Sequence, residues 1–163
     1  MTATYEKIQS NTLGSAQATV TFSTISGSYT DLVVICNFGA SSSAEDFIIR
    51  FNSDTGSNYS FTNMRGNGTT TASDRGTSSI RIAADLAGVS TTLQAIDIIQ
   101  VMNYSNTTTY KTALIRANDA GKSAEATVGL WRNTAAITSI TLAMTSGNLL
   151  SGSSFTVYGI KAE

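Results

Sequence analysis

The stretch Thr19-Val20-Thr21-Phe22-Ser23 alternates polar and apolar residues one by one. A period of two puts Val20 and Phe22 on one side of an extended chain and the hydroxyl residues on the other, the mark of a strand with one buried face. The same period recurs along the chain. Phe47, Ile49 and Phe51 alternate with Ile48 and Arg50, Ile80 and Ile82 flank Arg81, and residues 137 to 144 read Ile-Thr-Ser-Ile-Thr-Leu-Ala-Met. At the far end Phe155, Val157 and Gly159 alternate with Thr156, Tyr158 and Ile160. Thr, Val, Ile, Phe and Tyr are also the residues that fit a pleated, half-buried surface.

Read this way, the chain holds ten or eleven strands, near residues 4–12, 17–25, 31–38, 46–52, 58–65, 78–83, 92–104, 109–117, 123–132, 136–144 and 154–161. Turn chemistry separates them: Ser26-Gly27-Ser28, Ser41-Ser42-Ser43, Gly66-Asn67-Gly68, Asp119-Ala120-Gly121, Ser146-Gly147-Asn148 and Ser151-Gly152-Ser153. Strands spaced about 12 residues apart with Gly, Ser and Asn turns predict an all-β fold, an antiparallel β-sandwich of jelly-roll type. One domain over 1–163 is expected, since no linker and no internal repeat interrupts the pattern. The polar run Gly66–Ser79 is expected to be a long surface loop, with Asn67-Gly68 as a tight turn. Ala83-Ala84-Asp85-Leu86-Ala87-Gly88 is expected to form a single helical turn ending at Gly88.

Composition excludes whole classes of chemistry. The 163 residues contain no His, no Pro and one cysteine, Cys36. Histidine-based triads and dyads are therefore absent, as are His or Cys zinc sites and any intrachain disulfide. Cys36 lies in the apolar run Leu32–Cys36 and reads as a small core residue. Charged residues make only 13% and the net charge is −1, so nothing draws the chain to nucleic acid. No apolar run is long enough to span a bilayer, and Met1–Lys7 lacks the basic and apolar regions of a signal peptide. The expectation is a soluble protein made in a cytoplasm, bound to neither nucleic acid nor membrane.

The remaining polar clusters each have a structural explanation beside a chemical one. Asn52-Ser53-Asp54-Thr55-Gly56-Ser57-Asn58 spaces oxygen donors as calcium loops do, but holds one carboxylate and no acidic twelfth residue; a self-capped turn accounts for it better. Glu45, Asp46 and Asp97 would be the paired carboxylates of a glycosidase only if one cleft held them. Asp97, set among Ile96, Ile98 and Ile99, is expected to face solvent or pair with an arginine. Arg50, Arg65, Arg75, Arg81, Arg116 and Arg132 suit carboxylate pairing across strands or subunits, or alternatively anionic glycans. Trp131 with Tyr5, Tyr29, Tyr59, Tyr104, Tyr110 and Tyr158 suits core packing more than a sugar-stacking platform. Four Asn-X-Ser/Thr matches are what so Ser/Thr-rich a chain produces by chance. No catalytic, metal or cofactor-binding residue is assigned, and the chain is not expected to be an enzyme.

Three segments carry a family likeness. They are Tyr5-Glu6-Lys7-Ile8 through Thr12-Leu13-Gly14-Ser15 to Tyr29-Thr30-Asp31-Leu32-Val33-Val34; Arg50-Phe51-Asn52-Ser53-Asp54-Thr55-Gly56-Ser57-Asn58-Tyr59-Ser60; and Ser151-Gly152-Ser153-Ser154-Phe155-Thr156-Val157-Tyr158-Gly159-Ile160-Lys161. In this order they resemble small β-rich virion proteins of tailed bacteriophages, common among phages of aquatic bacteria. The resemblance implies a virion protein made in the host cytoplasm: a capsid decoration or cement protein, or a head fibre. It also implies a homo-oligomer, taken as a trimer, in contact with the major capsid protein or other virion proteins. The alternative is a tail-fibre or receptor-binding tip for host surface glycans, with polar loops 41–46, 53–58 and 66–79 as its site. So few protective charges and no Pro leave strand edges to be covered by identical subunits. Residues 1–12 and the terminal strand 154–163 are the expected donors of such contacts.

Overall fold

The computed structural model describes residues 4–42, 45–83, 89–93 and 95–161. Twelve strands follow one another: β1 (Tyr5–Thr12), β2 (Thr19–Phe22), β3 (Asp31–Phe38), β4 (Phe47–Phe51), β5 (Tyr59–Gly66), β6 (Thr71–Gly76), β7 (Ile80–Ala83), β8 (Ala95–Met102), β9 (Lys111–Asp119), β10 (Ser123–Trp131), β11 (Ile140–Met144) and β12 (Ser154–Ile160). Every pairing is antiparallel. The strands form an eight-stranded sheet, β1-β12-β3-β8-β9-β10-β5-β6, and a four-stranded sheet, β2-β11-β4-β7. The described residues contain no helix.

The order of pairing makes this a jelly roll. Four pairs nest about the β4-to-β7 connection: β4 with β7, β3 with β8, β2 with β11 and β1 with β12. They alternate between the sheets, so a long two-stranded ribbon wraps on itself and its halves are joined by β12–β3 and β11–β4. Two hairpins are added to this eight-strand frame. β5–β6 is inserted between β4 and β7, and β9–β10 between β8 and β11. Both add to the same sheet beyond β8, which doubles its width.

The sequence expectation of an antiparallel, jelly-roll sandwich is the observed fold, with one strand more than was legible. Thr71–Gly76 lies inside the segment read as a loop, and it pairs with β5 from Phe61↔Gly76 to Gly66↔Thr71. Its residues Thr-Ala-Ser-Asp-Arg-Gly carry no apolar period because it is the outermost strand and has little core to face. The turn at Asn67-Gly68 is as expected: the Asn67 side-chain oxygen accepts the Thr69 and Thr70 amides, and Gly68 takes φ +85°. The helical turn expected at 83–88 falls on residues 84–88, outside the described ones.

The core lies between the sheets. Val20, Phe22, Phe47, Ile49, Phe51, Ile140 and Leu142 of the small sheet meet Leu32, Val34, Phe38, Ile99, Val101, Ile115, Phe155 and Val157 of the large one. Cys36 is buried among them, its thiol pushed well up by burial. The Phe38 and Phe47 rings stand 4.3 Å apart across the sandwich. At the opposite end Trp131 packs on Phe51 at 5.6 Å and stacks on Tyr59 at 6.4 Å. Truncating such a buried ring typically costs about 3–5 kcal/mol.

The C-terminal strand is not a free edge. β12 pairs with β1 on one side and β3 on the other, so residues 154–160 have no open hydrogen-bonding side to donate. β1 is an edge, but a blunted one: a register shift between Lys7 and Gln9 breaks its ladder, and Lys161 bonds Glu6 at 2.8 Å. The small sheet ends in strands of only four residues, β2 and β7. Edge protection here comes from shortness and a bulge rather than from Lys or Pro.

A close approach fixes β12 beneath the segment leading into β3. A Cβ on Gly159 would lie 2.3 Å from the Tyr29 ring, and that ring is held by its hydroxyl donating to Glu6 at 3.1 Å. Gly159→Ala is expected to lower unfolding free energy by about 1–3 kcal/mol. Gly14→Ala, with open space around it, should change it by less than about 0.5 kcal/mol. Urea midpoints of the two variants check this; equal midpoints would show that the ring yields freely.

Candidate functional site

The loop that spaces oxygens at 52–58 is a closed turn. Asp54 Oδ1 accepts the Gly56 amide at 2.8 Å, while Oδ2 accepts Trp131 Nε1 at 2.7 Å and Asn58 Nδ2 at 2.9 Å. The Trp131 bond, helped by Asn58 and Gly56, holds the Asp54 carboxyl below its ordinary pKa. The Asn52 oxygen accepts the Thr138 and Ser139 amides, and its Nδ2 donates to Ala136 O. These oxygens are committed to protein donors, as the turn reading of the sequence expects.

Half of the arginines are structural. Arg81 reaches from β7 to Asp46 and to Asp74 on β6, both at 2.9 Å, and Arg65 adds a contact to Asp74 at 3.3 Å. This ion cluster joins the free edge of the small sheet to the last strand of the large one. The Arg81 guanidinium also sits 5.0 Å from the Phe61 ring. Arg132 donates to the Ser57 and Tyr59 carbonyls, both at 2.7 Å. Arg75 and Arg116 are exposed on the outer side of the large sheet, and Arg50 lies on the outer side of the small one. Trp131, Tyr59 and Tyr104 are fully buried, which leaves no stacking platform built on them.

Asp97 departs from expectation. It neither faces solvent nor pairs with an arginine, but points inward from β8 with 1% of its surface exposed. The phase of β8 decides this. Ile99 and Val101 are the inward residues, so Asp97 shares their face while Ile96 and Ile98 go outward. Asp97 Oδ1 accepts the Asn118 amide at 3.2 Å and Oδ2 is buried without a partner. Burial pushes its pKa up to about 8; the Asn118 amide opposes this, and the Glu125 and Asp119 charges add to it. The three carboxyls line an enclosed space of about 10 Å³, room for no more than one water. Asn63 ties this region together, donating to Glu125 Oε2 at 3.0 Å and Thr127 Oγ1 at 2.8 Å. Among the described residues no group of acidic or thiol side chains has metal-binding geometry. Lys111 is buried too, its ammonium donating to the Thr109 and Thr134 carbonyls at 2.7 and 3.1 Å, with its pKa lowered by burial.

Of the carboxylates considered as a glycosidase pair, Asp46 is bound by Arg81 at 2.9 Å and Glu45 accepts the Thr145 hydroxyl at 3.0 Å, while Asp97 is buried inside the sandwich. Asp54 is no partner for Asp97 either. Asp54 is bonded to Trp131, at the end of β10, whereas Asp97 lies level with Ala117 and Glu125, six residues back along that strand. Six residues of strand span roughly 20 Å. The same measure separates the 52–58 loop from the other two polar loops. The 52–58 loop adjoins Trp131, while the 67–70 turn follows Gly66, which pairs with Ala124 at the other end of β10. The β3–β4 loop also belongs to that far end, since Phe38 pairs with Ala95 and Ile96 with Asn118. These loops lie at opposite ends of the sandwich and build no common site.

A different surface stands out. The outer face of the eight-stranded sheet carries Ile35, Met64, Ile96, Met102, Leu114 and Val128, all exposed. They are neighbours across strands: Ile35 pairs with Ile98, Leu114 with Val128, and Met64 with Ala126. Met64, Ile98, Leu114, Ala126 and Val128 line a groove of about 410 Å³, with Gln100 and Arg116 at its polar margin. Across β5, β6, β8, β9 and β10 the only charges pointing outward are Arg75 and Arg116; the carboxylates Asp74, Asp97, Asp119 and Glu125 all point inward. Contiguous exposed apolar surface of this kind marks an interaction site. The signal was present in the sequence as apolar residues out of phase with the core, such as Ile96 and Ile98 against Ile99 and Val101.

No family model and no curated protein matches the chain. Solved structures give only distant likenesses. A mutant of congerin II aligns over 81% of this chain and 94% of its own, at 13% identity and TM-score 0.38. The alginate lyase Aly36B aligns over 93% and 77%, at 11% identity and TM-score 0.35. CG-16, a homodimeric agglutinin from chicken liver, aligns over 88% and 96%, at 12% identity and TM-score 0.29. Such values carry no functional argument, and the fold assignment rests on the strand pairing itself.

The buried Asp97 has a measurable consequence. Its pKa is about 8 folded and about 3.8 unfolded. Between these values the folded state holds a proton that the unfolded state has released, so the contribution of Asp97 to stability is full below pH 4 and falls as pH rises toward 8. The slope is at most about 1.4 kcal/mol per pH unit. Asp97→Asn is expected to flatten this fall, raising the melting temperature at pH 8 more than at pH 5. Thermal unfolding of both proteins at the two pH values tests it, and parallel shifts would refute a protonated Asp97.

Proposed function

We propose that the chain is a structural protein of a bacteriophage virion, a capsid decoration or cement subunit or a head fibre, held on the shell by the outer face of its eight-stranded sheet. The observation that carries this reading is that apolar face, which the folded subunit leaves in water. The three segments that resemble phage virion proteins support it from the sequence side. The bulged and shortened edges move the contact from strand edges to a sheet face. The surface received by this face is an apolar patch of the capsid carrying carboxylates. Arg75 and Arg116 find no outward carboxylate on β5, β6, β8, β9 or β10, and the same strands of a second copy would bring only more arginine.

Magnitudes favour many copies over one tight contact. A functional patch of about 400 Å² gives about 10 kcal/mol of gross apolar stabilisation, most of which the loss of rigid-body freedom cancels. Retention then comes from symmetry. A trimeric subunit engages three equivalent shell sites, and each bound arm raises the effective concentration of the others.

Quantitative mass spectrometry of purified particles, measured against the major capsid protein, tests the placement. Hundreds of copies per particle are expected, and about three to a few dozen would remove the protein from the shell. Leu114→Lys and Val128→Lys alter exposed side chains only, so their melting temperatures should stay within about 2 °C of the parent. Each should weaken rebinding to particles lacking the protein by about tenfold or more. Undiminished rebinding would exclude this face as the contact.

A further inference from the structure

The opposite side of the sandwich carries a second open surface, and its chemistry is polar. On the outer face of the small sheet, Arg50 of β4 pairs with Thr141 of β11, and Ile48 with Ala143. Thr141 and Ala143 pair in turn with Thr21 and Thr19 of β2. Together with Ser53 and Thr55 from the following loop, these residues enclose a groove of about 400 Å³. Ile48 and Ala143 form an apolar floor, and Thr19, Ser53, Thr55 and Thr141, the last bonded to the Thr21 hydroxyl at 3.1 Å, bring hydroxyls to its walls.

Arg50 stands apart from the cations already described. Arg65 and Arg81 reach carboxylates, and Arg132 reaches carbonyls. Arg50 makes no ion pair or hydrogen bond among the described residues, and its Nε is shielded from solvent with no acceptor. A desolvated donor left without a partner is costly, and an external acceptor would remove that cost. Asp54 lies close enough to feel the Arg50 charge, but its oxygens are taken by Trp131, Asn58 and Gly56. Glu45 also lies at the margin, accepting the hydroxyl of the lining Thr145 at 3.0 Å, so the groove suits a single negative charge placed on Arg50 itself rather than several.

We infer that this groove binds an acidic saccharide, with the sugar carboxylate on Arg50. A guanidinium takes a carboxylate through two parallel hydrogen bonds. The hydroxyl walls match the hydroxyls of a sugar ring, and the Ile48–Ala143 floor takes its C–H face. The volume fits one or two sugar residues. This inference is independent of how the protein is held on a shell; it uses the other face of the sandwich.

The test uses the full chain and three probes, with chemical shifts of the groove residues followed by NMR. D-glucuronate presents carboxylate and ring together, D-glucose the ring alone, and acetate the carboxylate alone. Glucuronate should bind in the millimolar range, about tenfold tighter than either other probe. Arg50→Gln should weaken it about tenfold at a melting temperature no lower than the parent's. Thr55→Val, an exposed change that leaves the charge in place, should weaken it a few-fold. Acetate binding as tightly as glucuronate would reduce the groove to an adventitious anion site and overturn the inference. So would glucose binding as tightly as glucuronate, undiminished glucuronate binding in Arg50→Gln, or no shifts at about 20 mM glucuronate.

Discussion

A four-stranded sheet cannot cover an eight-stranded one, and much of this molecule follows from that mismatch. The nested frame of eight strands would make a sandwich with two equal sheets. Both added hairpins join the same sheet: β9–β10 continues from β8 at its open edge, and β5–β6 crosses over from β4 of the small sheet to pair beside β10. The small sheet ends at β7, which lies across β8, β9, β10 and β5. Gly129 of β10 leaves the space that Ile80 of β7 fills; a Cβ there would meet the Ile80 side chain at 2.4 Å. Beyond this contact the small sheet no longer covers the inner face of the large one; among the described residues Ala83 and Val89 lie beside Asp97 there, and the composition of that face changes accordingly. Asn63, Thr127 and Asp74 stand in one cross-strand row, Asp97, Ala117, Glu125 and Arg65 in the next.

Such a row is tolerable only if its polar groups find partners or give up their charge. Both solutions occur. Asn63 bridges Glu125 and Thr127, and Arg65 and Arg81 converge on Asp74. Asp97, enclosed and out of reach of those arginines, keeps its proton instead. The Arg81 side chain spans the gap between β7 and β6, closing with charge a seam that the hydrogen-bond ladders leave open. The interior of the widened half is thus held by directed interactions, the frame by apolar packing.

The frame was therefore the legible part of the sequence. Strands with a buried face, such as Thr19–Phe22, Phe47–Phe51 and Ser154–Ile160, show period two because one side of each meets the core. Thr71–Gly76 shows none and reads as a loop; at the sheet margin neither of its sides is buried. Asp97 was misplaced because its neighbours Ile96 and Ile98 are apolar for a reason unrelated to the core. Residues on an outer face that remain apolar break the rule by which inside is told from outside, and that same break marks the face as a contact surface. Topology was illegible for another reason. Whether the last strand is an edge depends on β1 pairing outside it, a contact between residues some 150 apart in sequence.

The two outer faces differ in a way that the core explains. The large sheet presents apolar side chains on regular strands, a broad surface suited to another protein. The small sheet presents a narrow groove one wall of which is the 52–58 loop, and that loop is not free to adapt. Asn52 and Ser53 both take left-handed φ, 51° and 56°, a conformation held by the Asn52 side chain on Thr138 and Ser139. Asp54 is fixed from beneath by Trp131, itself wedged between Phe51 and Tyr59. The hydroxyls of Ser53 and Thr55 are therefore carried by backbone that core aromatics position, and Arg50 by the adjoining strand. A site built this way loses little conformational freedom when occupied. The Trp131–Asp54 bond consequently does two things at once: it closes the core where the β9–β10 hairpin rejoins the frame, and it sets the wall of the groove above it.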